Sequence, residues 1–467
     1  LQGFYRSNPA ASRMVPDPSS VSRRTVLATL GGGAAALAGG TAVAGATEPT
    51  ALPDPITDAA TKYYPTPPEV DALWRPPVTE AHARAAVETL AETVAESRRR
   101  WDAIGSVEDD GAPITTGAGG WLEDAREALD EGDHDTALFR ARYGLQFAGE
   151  ALGYARAEQD AVDRATLRDR AAVLTDRARA VADGLKPYPT TDPARDLGWY
   201  VRIEGEVQSA SALAARTLPD DADSGQNADS GDESDASADP VDPEVAGEVT
   251  AALLRGEVDA MTAERYRDIL FDRLGSDTDP HAEALRTAAE RFRAALPEYP
   301  SREDARARYV GEVDRYGPWE FAHSRLAQWC LGSAAPVPWR TPIDADLLAL
   351  RTVALSIGLA RRRAHETAVD RLVVEPDDTA FDSGHALAAK RRAQATYESV
   401  VGSDPSPLLV TQIGRAVEDL QVAEVGFGGG RDRPMWRERL EAYLYALVGR
   451  AKLEAFPPLR DAILDPD

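Results

Sequence analysis

Apolar residues in this chain recur at spacings of three, four and seven, and no stretch sustains a two-residue alternation of apolar and polar side chains. That pattern points to helices and argues against a sheet of any size. Thr79 fits an N-cap, and Val87, Leu90, Val94, Trp101 and Ile104 follow it as one apolar stripe. Gly117, Gly119 and Gly120 read as a loop, and Trp121, Leu122, Ala125 and Leu129 as a shorter helix ending at Gly132. Asp133 or Asp135 can cap the next helix. There Leu138, Leu145 and Leu152 form one stripe and Phe139, Tyr143, Phe147 and Tyr154 another. Two stripes imply burial on more than one side, as for a central bundle helix. The aromatic stripe is read as core packing in preference to the wall of a ligand groove.

Helices at 161–185 and 194–218 complete a first antiparallel bundle over 79–218. The stretch 219–242 is Asp, Ser, Gly and Ala with no basic residue, too polar to bury its own surface, and is expected to be an acidic disordered linker. A calcium loop would need a glycine turn and a terminal Glu at fixed spacing, which this stretch lacks. A second helical domain is expected over 243–467. Its signals are a capping box at Ser301 and Asp304, a break at Gly317-Pro318, and a helix opened by Pro342 and Asp344 that runs to Leu372. Ser406-Pro407 and Pro434 open two more, the last carrying Trp436, Leu440, Tyr443 and Leu447 to about residue 456. At 467 residues the chain exceeds what one core normally holds, so the expected architecture is all-α, two antiparallel helical bundles joined by the acidic linker. Residues 47–78 hold eight prolines and read as a stiff spacer, with Tyr63, Tyr64 and Trp74 lying against the body.

Charge limits the partners. Asp and Glu number 78 against 52 Lys and Arg, a net charge of −26. Nucleic acid is disfavoured, because displacing phosphate counterions needs a basic surface, and anionic lipid is disfavoured for the same reason. At molar salt the Debye length falls to about 3 Å, so a carboxylate-rich surface stays hydrated while its self-repulsion is screened. Lysine is confined to Lys62, Lys186, Lys390 and Lys452. This composition resembles that of proteins from salt-in halophilic archaea. Cys330 is the single cysteine, which excludes an internal disulfide and a cysteine-based metal cluster within one chain.

The run Ser22-Arg23-Arg24-Thr25-Val26-Leu27 leads into a weakly apolar Gly/Ala stretch closed by Ala44-Gly45-Ala46. Over residues 14–46 this resembles a twin-arginine signal peptide, with Arg23 and Arg24 as its recognition pair and Ala44 and Ala46 as its cleavage site. The resemblance implies passage through the twin-arginine translocase after folding, and an extracytoplasmic location, secreted or at the cell surface. A transmembrane helix, or an uncleaved signal acting as a tether, is the alternative. Residues 1–13 precede Met14 and are read as lying upstream of the true start.

Candidates for chemistry are few. Glu320-Phe-Ala-His323 has the Glu-x-x-His spacing by which helical bundles hold two metals, so Glu320 and His323 are the candidate metal ligands, for iron, manganese or zinc. Glu131-Gly-Asp-His134 has the same spacing, but Gly132 should break the helix between them. His365-Glu366 opens like a zinc-protease motif, yet Val369 stands where the second histidine is needed. Arg361, Arg362 and Arg363 read as a charged helix face pairing with nearby carboxylates, Gly426 to Arg431 as a flexible connection, and Asp382 to His385 as a helix cap. Ala128 to Leu138 resembles the turn of a tetratricopeptide-type repeat, without the second copy an array requires. No cofactor is expected, a transition metal being the alternative. The resulting expectation is an exported, non-catalytic helical binding or scaffolding protein of the cell envelope. Its rivals are a bundle metalloenzyme and a membrane-tethered subunit of an envelope complex.

Overall fold

The computed structural model describes residues 48–104, 115–216, 241–311, 316–331, 346–425 and 434–465. The signal residues Arg23, Arg24, Ala44 and Ala46, residues 219–240 of the acidic stretch, Pro342, Asp344 and the Gly426–Arg431 connection lie outside the described residues.

The chain is all-α. Its helices are α1 (Asp54–Lys62), α2 (Glu80–Ile104), α3 (Thr115–Asp130), α4 (His134–Glu158), α5 (Arg164–Gly184), α6 (Pro193–Ala214) and α7 (Pro243–Leu274), followed by α8 (Ala282–Ala295), α9 (Arg302–Tyr309), α10 (Pro318–Leu331), α11 (Leu348–Asp370), α12 (Ser383–Val401), α13 (Pro407–Val425) and α14 (Met435–Leu464). Among the described residues the sheet content is one antiparallel pairing of β1 (Pro189–Thr190) with β2 (Asp279–Pro280). The acidic composition serves the helix starts. Asp133, Asp163, Asp192, Asp242 and Asp382 each cap a helix, accepting main-chain N–H bonds where the helix dipole favours negative charge. Ser301 and Asp304 form the expected capping box.

Two local readings are corrected. Gly119 and Gly120 lie inside the first turns of α3, not in a loop before it. A Cβ on Gly119 would meet only the far end of the flexible Arg98 side chain, at 2.8 Å, which can move aside, and one on Gly120 would meet nothing within 4 Å. At the other end α14 continues through Pro457 and Pro458, and its apolar face is held by buried Phe456, Leu459 and Ile463. Tertiary burial offsets the roughly 3 kcal/mol that an interior proline costs a helix.

Helix α4 packs against α2, α3 and most extensively against α7, while α7 also covers α5 and α6. Between α5 and α7 two fork-to-fork ion pairs repeat at a seven-residue interval. Arg170 reaches Glu257 at 2.6 and 2.9 Å, and Arg177 reaches Glu264 at 2.7 and 2.6 Å. In the C-terminal half α14 is central, contacting α11, α12, α13 and α10. Residues 243–274, assigned from sequence to the second domain, therefore pack with the first. The larger core cluster runs without interruption from Leu167 on α5 to Ile463 on α14, and a smaller one lies between α2, α3, α4 and α7.

The seam between the halves is α6 against α11 and α13. Gly198 meets Pro407 so closely that a Cβ would lie 2.5 Å from the proline ring. Two turns on, the fully buried Glu204 accepts from the Tyr188 hydroxyl (2.5 Å) and from the Leu350 main-chain N–H in the first turn of α11 (2.6 Å). Burial raises its carboxyl to about 8.

The proline-dense arm crosses this seam. Helix α1 docks on α12, where Asp54 and Asp58 grip Arg439, Thr57 bonds Ser383, and Lys390 donates to the Thr61 carbonyl (2.9 Å). Further on, Gln421 of α13 donates to the Pro67 carbonyl, Trp74 meets Trp199 edge-on at 6.0 Å, and Asp71 pairs with Arg202 of α6 at 2.7 Å. Trp74 thus lies on the body as expected. Tyr63 does not, being 70% exposed.

Candidate functional site

Where the arm passes over α6, the helices leave a two-lobed cleft. The larger lobe, about 780 Å³, lies between the arm, α6, α11 and α13, with Val201, Leu350, Ile357 and Val410 in its wall and Glu69, Arg415 and Glu418 around it. The smaller, about 420 Å³, lies between the arm, α4, α6 and α7 and is lined by Arg75, Phe139, Arg142, Tyr143, Arg255 and Tyr266 among others. Asp71, Arg202 and Glu206 line both lobes and mark their junction. Cavities of this size suit small ligands.

The junction is electrostatically tense. Arg142 of α4 donates to Glu206 of α6 at 3.0 Å and also grips the buried Asp259 of α7, which accepts a 2.5 Å bond from Ser209. One guanidinium thus serves two carboxylates. Burial and the neighbouring Asp259 charge raise the Glu206 carboxyl well above its usual range, while Arg142 and Arg202 act against that rise. Below this triad His82 bonds Thr262 at 3.0 Å, and burial together with Arg265 and Arg142 lowers its imidazole to about 4.

The aromatic stripe of α4 divides: Phe147 packs against the smaller core cluster as expected and Tyr154 stacks on Trp101, but Phe139 and Tyr143 do not form core. Phe139 is 59% and Tyr143 39% exposed, and both line the smaller lobe. Tyr143 lies 4.5 Å from Trp121 and 6.2 Å from Phe139 in ring-centroid distance. Phe139 and Tyr143 stay exposed because α2, α3 and α7 cover the Ala137, Leu138, Ala141 and Leu145 face of α4 and leave these two rings to the cleft.

Two mid-helical glycines line the larger lobe without a packing reason. A Cβ on Gly205 would meet nothing within 4 Å, and one on Gly414 would only touch Val70 at 3.8 Å. Gly149, Gly153 and Gly247 differ, since each lies against a neighbouring helix backbone between α4 and α7.

The residues singled out in the sequence lie elsewhere. Glu320 accepts from the Gly317 main-chain N–H at 2.8 Å, ahead of the first turn of α10, and lines a separate 230 Å³ cleft beside Asp377 and Asp378. His323, one turn on, is buried between Tyr309 (4.4 Å, nearly parallel) and Trp319 (4.2 Å). Burial lowers its imidazole to about 4, so it is neutral at ordinary pH, and among the described residues neither ring nitrogen has a hydrogen-bond partner. No group of three or more His, Cys, Asp or Glu that could hold a metal ion occurs there or elsewhere among the described residues. Gly132, at φ 78°, separates Glu131 from His134 as expected. The arginine run is corrected: Arg361 donates to the Trp329 carbonyl in the last turn of α10 (2.7 and 3.2 Å) and Arg362 to the Pro300 carbonyl, not to carboxylates. The Trp329 carbonyl lies in the last turn of a helix, where main-chain acceptors lack intrahelical donors, and the local sequence around the arginines gave no hint of it.

Arg142, Glu206 and Asp259 come from three helices, and no local spacing joins them. The available signal was indirect. An arginine stands between two ring positions of α4, and a glycine interrupts an otherwise well-formed α6.

Residues 81–277 match a family described as a domain of unknown function (DUF8262), and residues 280–465 match a second so described (DUF8264). The boundary between these matches falls at the start of the β2 turn, after α7, where the helix packing also changes partners. No curated protein and no solved structure matches the chain. Among the described residues no helix is long and apolar enough to cross a membrane.

Proposed function

We propose that this protein is an exported, non-catalytic binding protein of the cell envelope, and that the two-lobed cleft is its ligand site. The observation that carries the reading is the cleft itself. An ion-paired arm is laid across helices that leave two aromatic rings and two unpacked glycines facing the space. Such exposure of large rings beside a cavity is the usual mark of recognition. The signal-like residues Arg23, Arg24, Ala44 and Ala46, and the acidic, lysine-poor composition, support export into a saline medium. In this reading the first bundle comprises α2 to α7 and the second α8 to α14. The protein's partners are the translocase during export and a small molecule afterwards.

Thermal-shift screening of protein purified at molar salt tests the reading. A ligand that raises the melting temperature of the wild type, and does so no longer in Gly414→Trp, which fills the larger lobe, is the expected result. Steady turnover of hydrolase or oxidase substrates, abolished in Glu206→Gln, would overturn it and make Glu206 and Asp259 an acid–base pair. Stoichiometric iron, manganese or zinc, lost in His323→Ala, would restore the metalloenzyme. Recovery of the protein from the membrane fraction with residues 25–46 intact would favour a tethered subunit.

A further inference from the structure

The smaller lobe reverses the charge balance of the molecule. In a chain of net charge −26 its lining holds four arginines (75, 142, 202 and 255) against three carboxylates (Asp71, Asp135 and Glu206). Three of the four arginines are engaged. Arg75 pairs with Asp135 at 2.7 Å, Arg202 with Asp71, and Arg142 with Glu206 and Asp259. Arg255 is the exception. Projecting from α7 and half-buried, it forms no ion pair among the described residues, and its contact is a 3.3 Å bond to the neutral side-chain carbonyl of Gln146. Among the arginines of this lining Arg255 alone has no carboxylate in contact among the described residues; the Glu150 charge acts on it through space, with Gln146 bonded to both. Beside it stand the exposed rings of Phe139 and Tyr143.

We infer that the smaller lobe binds a small organic carboxylate with a flat apolar body, its anionic group on Arg255 and its body against Phe139 and Tyr143. The guanidinium fork matches a planar carboxylate through two parallel N–H bonds. The rings supply the discrimination a saline medium demands. Screening at molar salt weakens a purely ionic contact, and chloride competes for a bare cation, but neither affects stacking. This assignment rests on the proposed binding role and narrows it to one lobe and one ligand class.

Isothermal titration with 2-naphthoate as the probe tests it on the full chain at molar salt. One site is expected, with 2-naphthalenemethanol, the same ring without charge, binding roughly tenfold or more weakly. Arg255→Gln should reduce naphthoate affinity by about 10- to 100-fold and leave the neutral probe unchanged. Phe139→Ala, at an exposed ring that can be removed without touching the core, should weaken both probes and serves as the test if Arg255→Gln lowers the melting temperature. Equal affinity for the two probes, an unchanged Arg255→Gln, or acetate binding as tightly as naphthoate (a bare anion site) would each overturn the assignment. If naphthoate fails while other ligands still raise the melting temperature in a manner lost in Gly414→Trp, the ligand class falls and the binding cleft stands. If nothing binds, both fall.

Discussion

Glu204 and Glu206 stand two residues apart on α6, and burial raises the carboxyl of each, yet they do opposite work. Glu204 is sealed, and its partners are neutral, a tyrosine hydroxyl and a main-chain N–H. With no compensating cation, burial favours the protonated acid against the pull of its two donors, and the group ties α6 to the start of α11. Glu206 opens onto the cleft, and its partner is a guanidinium shared with Asp259. A buried acid satisfied by neutral donors is a joint in the fold. An acid at a cavity held by a divided cation is a group whose partners a ligand can rearrange.

The largest effect that separates the two is pH-dependent. Since the folded carboxyl of Glu204 titrates at about 8, above its unfolded value, its stabilisation is complete below the unfolded pKa and is lost as pH rises through the folded one. The contribution of Glu204 to the unfolding free energy should therefore fall by roughly 3–4 kcal/mol between pH 5 and pH 8. Glu204→Gln, which stays neutral, should remove that part of the slope and leave the smaller part of the same sign that the raised Glu206 carboxyl adds, whereas Glu206→Gln should remove only the smaller part. Urea denaturation at the two pH values reads both. An equal slope in wild type and Glu204→Gln would show that the acid is ionised in the fold. Next in size is Gly198→Val at the same seam. Its side chain cannot be housed against Pro407 without parting the halves, so a loss of about 3 kcal/mol is expected in the same measurement. Unchanged stability would mean that the seam is loose and carries little of the fold.

How much of this was legible in the sequence follows from the range of each interaction. Helices and caps were readable because they are set by neighbours within four residues. Asp133, Ser301 with Asp304, Asp382 and Ser406 all act where their spacing places them. The allocation of α7 was not, because its partners α4 and α6 precede the acidic stretch, and a composition break says where the chain is polar, not where its helices return to pack. Phe139 and Tyr143 showed helical spacing, which specifies a face but not whether anything covers it. Glu320 and His323 had a ligand's spacing and fold as a carboxylate beside a helix start and a ring stacked among aromatics. The Arg142, Glu206 and Asp259 group, spread over 118 positions of chain, left no local trace.

On the cleft side the stronger break is Arg142→Leu. It leaves Glu206 and Asp259 facing each other without their shared cation, which should cost about 2–3 kcal/mol at pH 8. The sign of its pH dependence is fixed. Loss of the cation raises the Glu206 carboxyl further, so the deficit should shrink as pH falls toward 5 and the acids take up protons. A deficit constant with pH would assign Arg142 to packing along α4 instead.

The smallest effect has the opposite sign and sharpens the comparison most. At the seam a glycine is required by contact, and at the cleft Gly205 and Gly414 face open space. Glycine inside a helix costs about 0.5–1 kcal/mol relative to alanine through the freedom it retains when unfolded. Gly205→Ala and Gly414→Ala should therefore each stabilise the protein by that amount, with the denaturation midpoint rising and its steepness unchanged. If the cleft is a binding site, the same substitutions should weaken whatever ligand fills the larger lobe, because a methyl group then occupies space the helix backbone had left clear. Stability gained together with binding lost would separate these glycines from those of the seam. Stability gained with binding intact would move the ligand entirely to the smaller lobe, where Arg255, Phe139 and Tyr143 remain to hold it.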